Sequence, residues 1–188
     1  MLRGIVAMKI KLIFLLVALG VCCACENDSV NRATSNNLHG VYLVRHAEKL
    51  TGKDPSLTNA GKERAETLAQ FMSDKELTHI HSTDYKRTLE TAAPVAAQTD
   101  IEIQIYDPSN LETFAGVLQS TPGIHLVVGH SNTTPQLARA LGADPGSEID
   151  EKSEYDRLYV IHLSPGVPTN NIERYGVRYQ KGVQENKN

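Results

Sequence analysis

The sequence predicts one α/β domain in which a mostly parallel central sheet is flanked by helices on both faces. From residue 40 onward, strand-like apolar stretches alternate with helical patterns, which is typical of parallel strands joined by crossover helices. A chain of 188 residues is long enough for one domain with a sizeable core. The aromatic content of 5% and the lack of Trp indicate that this core is mostly aliphatic.

The alternation begins with a strand, a helix and a second strand. Residues 41–44 are apolar and predict the first strand. Residues 58–72 carry apolar residues at helical spacing, and Thr58 is suited to be the N-cap of this helix. Residues 79–82 predict a short second strand.

The middle of the domain continues with a helix and an edge-like strand. The helix at residues 85–98 contains Pro94, so we expect it to kink or break there. Ile101, Ile103 and Ile105 alternate with polar residues, which predicts a strand with one apolar face.

The last part of the domain supplies two helices and three strands. Residues 111–119 and 135–141 predict helices, the second of them ended by Gly142. The continuous apolar stretch between these helices, at residues 124–128, predicts a strand buried on both faces. Two further strands, free to form an antiparallel edge, are predicted at residues 155–163 and 173–179.

Residues 1–25 have the proportions of an export signal, because basic residues precede an apolar run that is too short to span a bilayer. All three cysteines, Cys22, Cys23 and Cys25, lie at the end of this run, which argues against a disulfide framework in the domain. The pattern resembles a bacterial lipoprotein signal with the lipid on Cys25 or Cys22, and ordinary signal cleavage is the alternative. We therefore expect export to the periplasm or cell envelope on a membrane anchor, with a flexible tether at residues 26–38.

The charge balance argues against one class of partner. Removing residues 1–24 deletes three basic residues and no acidic one, so the formal charge changes from −3 to −6. A mature protein this acidic, with its folded domain predicted at residues 39–188, is a poor candidate for nonspecific nucleic-acid binding. No nucleic-acid partner is therefore expected.

Polar residues cluster directly after three of the predicted strands. The clusters are, in chain order, Arg45 with His46, Ser82 through Arg87, and Gly129 through Asn132. If these strands are parallel neighbours, their carboxyl ends meet at one edge of the sheet, where α/β folds bind their ligands. The sequence therefore predicts a site that contains two arginines and two histidines.

Two arginines gathered in one crevice favour an anionic ligand. Guanidinium groups match phosphate oxygens in fork geometry, so a phosphoryl group fits best. The sequence has neither a Walker-type glycine loop nor a carboxylate cluster suited to magnesium, so no metal and no cofactor are expected. An imidazole in such a cluster can attack phosphorus, and a carboxylic acid is then needed to protonate the leaving oxygen.

Four motifs carry a resemblance to a known family. The stretches "LVRHAEK", "LTNAGKERAETLA", "HSTDYKRTLETA" and "VVGHSNTTPQL" resemble the motifs of the histidine phosphatase superfamily, also called phosphoglycerate mutase-like, and in particular its small RHAEK-type members. The resemblance implies that family's fold, a largely parallel sheet flanked by helices. It agrees with the alternation of strands and helices seen in this chain.

The resemblance also implies roles for individual residues. His46 becomes the phosphorylated nucleophile beside the phosphate ligand Arg45, Arg87 the second phosphate-binding arginine, and His130 the second catalytic histidine. The adjacent Ser131 and Asn132 either line the substrate pocket or cap the helix that follows.

The proton donor has no unambiguous match in this sequence. Glu112, in "NLETFAG", has a plausible position after the second arginine motif, and Glu48 lies two residues from the expected nucleophile. Asp84 precedes Arg87 and is a third carboxylate in the region. We favour Glu48 or Glu112.

Other polar residues have simpler interpretations. His79 and His81 are two residues apart on one strand, and without a nearby acid cluster they do not predict a metal site. Glu63, Arg64 and Glu66 are expected to form a solvated helix face. In "SEYDRLYV", Asp156 and Arg157 are expected to be structural.

The leading functional hypothesis is a metal-independent phosphatase that forms a phosphohistidine on His46. The alternatives are a phosphomutase of the same superfamily and a non-catalytic phosphate-binding module. The expected partner is a small phosphorylated substrate or a phosphoprotein. The sequence does not distinguish phosphosugars, nucleotides, phosphohistidine proteins and envelope phosphates.

Overall fold

The computed structural model describes residues 39–163 and 167–178. Its elements are β1 (Gly40–Arg45), α1 (Asn59–Met72), β2 (His79–Ser82), α2 (Lys86–Thr99), β3 (Ile103–Ile105), α3 (Leu111–Ser120), β4 (Ile124–Gly129), α4 (Thr133–Ala140), β5 (Arg157–His162) and β6 (Thr169–Arg174). Within these ranges, every helix is too short or too polar to traverse a membrane. The expected signal, tether and lipid-bearing cysteine lie outside the described residues.

The six strands form one sheet in the order β3-β2-β4-β1-β5-β6. The first four are parallel, and β5 and β6 run antiparallel to their neighbours. In the parallel part, Arg45 is in register with Gly129, and Ser82 is in register with Val128. The carboxyl ends of β1, β2 and β4 therefore lie side by side, as the sequence predicts.

Each face of the sheet packs against one pair of helices. On one face, Val41 and Leu43 of β1 pack in a cluster with α3 and α4. The alternate position Val44 belongs to the cluster on the opposite face, which contains α1 and α2. Because successive side chains of a strand point to opposite faces, these two clusters account for the apolar sequence of β1.

Three elements, α2, β3 and α4, differ from what the sequence predicts. The helix α2 runs unbroken through Pro94, so the break considered there is wrong. The predicted apolar face of β3 is only partly used: Ile103 packs against the core, whereas Ile105 is 55% exposed because β3 is an edge strand with one neighbour. The helix α4 begins at Thr133, two residues before its predicted start.

The two antiparallel strands also differ from their predicted ranges. β5 begins at Arg157 rather than at Tyr155, because Tyr155 leaves the sheet to contact Arg45. β6 ends at Arg174, far short of the predicted residue 179, which lies outside the described residues. The chain turns away at Gly176, which has a φ of 68°, directly after the buried Tyr175.

Two glycines allow close approaches that position the site. A Cβ on Gly61 in the first turn of α1 would overlap the carbonyl of Glu48, and Thr58 caps this helix as predicted by accepting a hydrogen bond from Gly61 N. A Cβ on Gly129 would lie 2.8 Å from the hydroxyl of Tyr106. The backbone just before His130 is therefore packed too tightly for any larger residue.

Candidate active site

The nucleophile candidate His46 lies immediately after β1 and is 3% exposed. Its backbone N–H donates to the carbonyl of Gly129 at 2.9 Å, and Ala47 N donates to Thr91 Oγ1 at 2.9 Å. Its ring Nδ1 lies 2.8 Å from the carbonyl of Ala47. Because a carbonyl oxygen only accepts hydrogen bonds, Nδ1 carries the proton and Nε2 keeps its lone pair.

The pKa of His46 supports this neutral state. Burial, opposed by the hydrogen bond to Ala47 and reinforced by the positive charges of Arg45 and Arg87, lowers the pKa of His46 to about 3. The ring is therefore uncharged at neutral pH, with its one proton on Nδ1. A neutral imidazole with a free Nε2 is the form that can attack phosphorus.

His130 lies after β4, with its ring centroid 5.7 Å from that of His46. Its Nδ1 is 3.3 Å from Arg87 Nη2, and its Nε2 is 3.0 Å from Thr83 Oγ1. Since arginine can only donate, Nδ1 is the acceptor and the proton of the neutral ring is on Nε2. Burial, followed by the charges of Arg87 and Arg45, lowers the pKa of His130 to about 4.

The two arginines approach the histidines from different elements. Arg87 is in the first turn of α2, and Arg45 is the last residue of β1 and is 2% exposed. Arg45 donates to three backbone carbonyls of one turn, at 3.2 Å to Asp150, 2.6 Å to Glu151 and 3.0 Å to Glu154. Arg45 therefore fixes the segment that precedes β5 as well as contributing charge to the site.

The arginines have donor capacity that the described residues do not use. Arg45 Nε and Arg87 Nε are buried and have no hydrogen-bond partner among those residues. A buried N–H without an acceptor costs roughly 1–3 kcal/mol, so an oxygen-rich anion at this place would be stabilised. A phosphoryl group fits this donor set because it offers several acceptors to the two guanidinium groups.

The comparisons with known proteins agree with this geometry. Residues 41–122 match the model of the histidine phosphatase superfamily (branch 1). The resemblance to the histidine phosphatase superfamily that the motifs predict is therefore confirmed over residues 41–122. The matched stretch contains Arg45, His46 and Arg87, and His130 follows it.

Relatives in this superfamily include probable phosphoglycerate mutases. The chain is 32% identical over 128 residues to a "Probable phosphoglycerate mutase GpmB" from Photorhabdus laumondii, covering 64% of this chain and 58% of the relative. A Yersinia pestis protein of the same name is 36% identical over 90 residues, covering 44% of this chain and 41% of the relative. The matched stretches thus span 58% and 41% of the length of these two curated relatives.

Solved structures of similar proteins share the histidine phosphatase fold. A putative phosphohistidine phosphatase SixA from Agrobacterium tumefaciens has a TM-score of 0.50 at 23% identity, over 66% of this chain and 92% of that chain. A putative alpha-ribazole-5'-P phosphatase from Escherichia coli has a TM-score of 0.59 at 16% identity, over 76% and 100%. At these identities the similarity establishes the fold, and the mixed six-stranded sheet is the form it takes here.

Two tyrosines pack against the arginines of this candidate site. The Arg45 guanidinium lies 4.1 Å from the ring centroid of Tyr155, and that of Arg87 lies 4.5 Å from Tyr85. Tyr85 also meets His130 edge to face at 5.1 Å. Neither tyrosine was among the predicted site residues. Tyr155 is distant from Arg45 in the sequence, and Tyr85 lies in the loop before α2.

We expect the ring of Tyr155 to hold the Arg45 guanidinium in place. A cation–π contact of about 1 kcal/mol predicts that Tyr155→Leu weakens competitive inhibition by inorganic phosphate about 5-fold. Tyr155→Phe keeps the ring and should change the inhibition constant less than about 2-fold. Equal weakening in both variants would contradict a role for the ring.

The carboxylate of Glu48, one of the two favoured acids, is hydrogen-bonded by Arg64. Arg64 donates to both of its carboxylate oxygens at 2.8 to 3.0 Å and also to the carbonyls of Tyr175 and Val177. Arg64 is 8% exposed, so its expected place on a solvated helix face is wrong, whereas Glu63 and Glu66 are exposed as predicted. The sequence pattern could not reveal this pair, because Arg64 is buried by the distant residues after β6.

The other acid candidates are exposed. Glu112 lies in the first turn of α3, and Asp84 lies in the turn before α2. The described residues give the carboxylate of Glu112 no hydrogen bond or ion pair. The role of either residue as proton donor stays a prediction.

A carboxylate that the sequence reasoning missed does contact the site. Asp54, in the loop between β1 and α1, lies 3.7 Å from Arg87 Nη1. Its Oδ1 accepts a hydrogen bond from Lys86 N at 3.0 Å. The sequence feature that could have indicated Asp54 is its position eight residues after the expected nucleophile His46, in a loop that carries no other recognisable motif.

Ser131 and Asn132, which follow His130 in the chain, line a cleft of about 470 Å³. The cleft extends between α4 and the segment before β5, where Arg139, Glu148 and Glu151 also line it. Asn132 occupies the N-cap position of α4 without a side-chain cap bond, so the alternative of helix capping is wrong for Asn132. Contact of Ser131 and Asn132 with substrate stays a prediction.

Four other histidines form a separate cluster under α3. The rings of His79, His81 and His125 stack at centroid distances of 4.5 to 6.1 Å, and His39 lies 6.1 Å from His125. His81 Nε2 is 3.0 Å from His125 Nδ1, and His125 Nε2 donates to the carbonyl of Thr121. No three His, Cys, Asp or Glu side chains in the described ranges are arranged to hold a metal ion.

This cluster predicts a loss of stability in acid. Burial lowers the pKa of His81 to about 3 from 6.5, so between pH 6.5 and 4 the unfolded chain binds a proton there that the folded protein does not. Stability should therefore fall with pH in this window. We expect His81→Leu, compared by urea denaturation at pH 7 and pH 5, to lose about 1 kcal/mol less per pH unit than the unmodified protein. Parallel losses would contradict the neutral state of His81.

Proposed function

We propose that this protein is a metal-independent phosphatase that hydrolyses phosphomonoesters through a phosphohistidine on His46. The proposal is carried by two buried Nε–H donors, of Arg45 and Arg87, that have no partner among residues 39–163 and 167–178 and lie at the site of a neutral His46. These groups supply the three requirements of phosphoryl transfer: an anion site, a nucleophile, and positive charge to stabilise the transition state.

The proposed reaction has two steps. His46 Nε2 forms a bond to phosphorus while the bond from phosphorus to the alcohol oxygen breaks, and the leaving oxygen takes up a proton. Water then attacks the phosphohistidine, the bond from phosphorus to Nε2 breaks, and inorganic phosphate is released. The arginines hold the phosphoryl oxygens in both steps. The Nε2–H of His130, which meets Thr83 Oγ1 in the free protein, donates to one of these oxygens when substrate is bound.

A phosphomutase is the second candidate, because the named sequence relatives are probable phosphoglycerate mutases. Such a substrate carries a carboxylate besides its phosphate. In the cleft that Ser131 and Asn132 line, Glu148 and Glu151 would repel that carboxylate, and Arg139 would attract it. The two acidic side chains favour hydrolysis of a less anionic ester over phosphoglycerate chemistry.

Phosphate release from p-nitrophenyl phosphate with EDTA present tests the proposal. We expect turnover that chelation does not reduce, and an acid-labile, base-stable phosphoenzyme after rapid quenching. A parallel assay follows the interconversion of 2- and 3-phosphoglycerate. Interconversion that outpaces phosphate release would favour the mutase. Lack of both activities, with stabilisation of the protein by phosphate, would favour the binding module.

Export and lipid anchoring remain part of the proposal. They are supported by the apolar run and the cysteines at residues 22–25. Detergent partitioning of the full chain compared with Cys25→Ser and Cys22→Ser variants distinguishes a lipid anchor from simple cleavage. Loss of partitioning into detergent in one variant identifies the lipidated cysteine.

A further inference from the structure

Asp54 is held near the end of the loop that leaves the nucleophile. Leu50 N donates to the carbonyl of Ser56 at 2.9 Å, and Leu57 N donates to Glu90 Oε2 of α2 at 2.7 Å. Asp54 has a φ of 47°, in the left-handed region that non-glycine residues rarely adopt. The surrounding contacts therefore fix Asp54 in a conformation that costs about 1 kcal/mol or more.

This conformation brings the carboxylate to the edge of the histidine and arginine group. Asp54 Oδ1 lies 3.7 Å from Arg87 Nη1, and the other terminal nitrogen of the same guanidinium lies 3.3 Å from His130 Nδ1. One arginine thus contacts both the carboxylate and a site histidine. With a side chain that is 37% exposed, Asp54 remains open to solvent and substrate.

The other nearby carboxylates are less suited to donate a proton. Both oxygens of Glu48 are held by Arg64. Glu112 and Asp84 are exposed, and no contact joins either of them to the histidines or to the site arginines within the described residues. Of these four acids, only Asp54 contacts one of the two site arginines within the part of the chain that the structure describes.

We propose that Asp54 is the general acid and base of this reaction, a role that rests on the proposed phosphatase function. In the first step its carboxyl proton moves to the leaving alcohol oxygen as the bond from that oxygen to phosphorus breaks and His46 Nε2 bonds to phosphorus. In the second step the carboxylate takes a proton from the attacking water, and His46 is released with its lone pair. Asp54 ends in its starting form, and inorganic phosphate is the product.

The ion pair with Arg87 does not prevent this role. A phosphoryl group bound on Arg87 competes for the same guanidinium and places negative charge beside the carboxylate. Both changes weaken the ion pair between Asp54 and Arg87. A substrate that enters as a monoanion supplies the proton that Asp54 passes to the leaving oxygen.

The test compares leaving groups in the Asp54→Asn variant of the full chain. Asparagine tolerates the left-handed conformation and keeps the oxygen that accepts from Lys86 N, so the loop and helix contacts are preserved. The 4-nitrophenolate ion leaves without protonation, whereas an alkyl alcohol needs an acid. We expect hydrolysis of an alkyl phosphate such as β-glycerol phosphate to fall about 10²-fold, and p-nitrophenyl phosphate hydrolysis to fall less than about 5-fold.

Each other outcome overturns a defined claim. Equal losses with both substrates, together with weaker phosphate inhibition, would make Asp54 an orienter of Arg87 and overturn the acid role. Unchanged alkyl phosphate hydrolysis in Asp54→Asn, with a large loss in the matched Glu112→Gln variant, would assign the acid to Glu112. Unmodified protein that hydrolyses neither substrate would overturn the proposed phosphatase itself.

Discussion

Replacing His46 with alanine should reduce phosphatase turnover by at least about 10³-fold, because the variant lacks the atom that bonds to phosphorus. Removal of a covalent nucleophile leaves only the binding and electrostatic contributions of the other groups. The imidazole lies at the end of β1 and belongs to none of the apolar clusters of the core, so the fold should persist. The same variant should yield no acid-labile phosphoenzyme.

The matched control is His162→Ala, which removes an exposed imidazole from the end of β5. This variant should keep full turnover and phosphoenzyme formation. Thermal unfolding of both variants separates loss of chemistry from loss of fold. A folded His46→Ala protein that still turns over p-nitrophenyl phosphate would show that His46 is not the nucleophile.

Local sequence patterns, namely apolar runs that end at polar residues, were enough to predict one part of the site. Strand ends can be read from sequence because an apolar run that stops at Arg45, and another that stops before His130, mark where the chain leaves the sheet. The parallel order of β1, β2 and β4 then places the polar residues together. The sequence therefore sufficed to assemble both histidines and both arginines.

The unpredicted part depends on contacts between segments that no periodicity links. Arg64 is held against Glu48 because its guanidinium also donates to backbone carbonyls of residues that follow β6. Arg45 engages a turn more than 100 residues later in the chain. Asp54 reaches Arg87 because its loop is tied to α2 through Glu90. Such contacts are set by the folded topology, so the choice among acids could not be made from spacing.

Arg87→Gln should lower kcat/KM about 10²- to 10³-fold and weaken phosphate inhibition at least about tenfold. The substitution removes a charged donor whose buried Nε–H has no partner among the described residues, together with the contact to His130 Nδ1. It also removes one of the two positive charges that lower the pKa of His130. That pKa should therefore rise above 4, but remain below 6.5 because burial is its largest cause.

The two readouts of Arg87→Gln separate charge from geometry. Arg87→Lys keeps the positive charge but not the planar fork, so His130 should titrate nearly as in the unmodified protein while phosphate still binds weakly. NMR of the ring protons follows this titration.

The control variant Arg139→Gln removes an exposed arginine from the neighbouring cleft. It should alter neither the titration of His130 nor phosphate inhibition of p-nitrophenyl phosphate hydrolysis. If Arg139→Gln weakened phosphate inhibition as much as Arg87→Gln, the anion would be attracted by the general field of the cleft. A loss confined to Arg87 instead requires direct contact between its guanidinium and the phosphoryl oxygens, because exposed charges are screened by solvent and a buried donor is not.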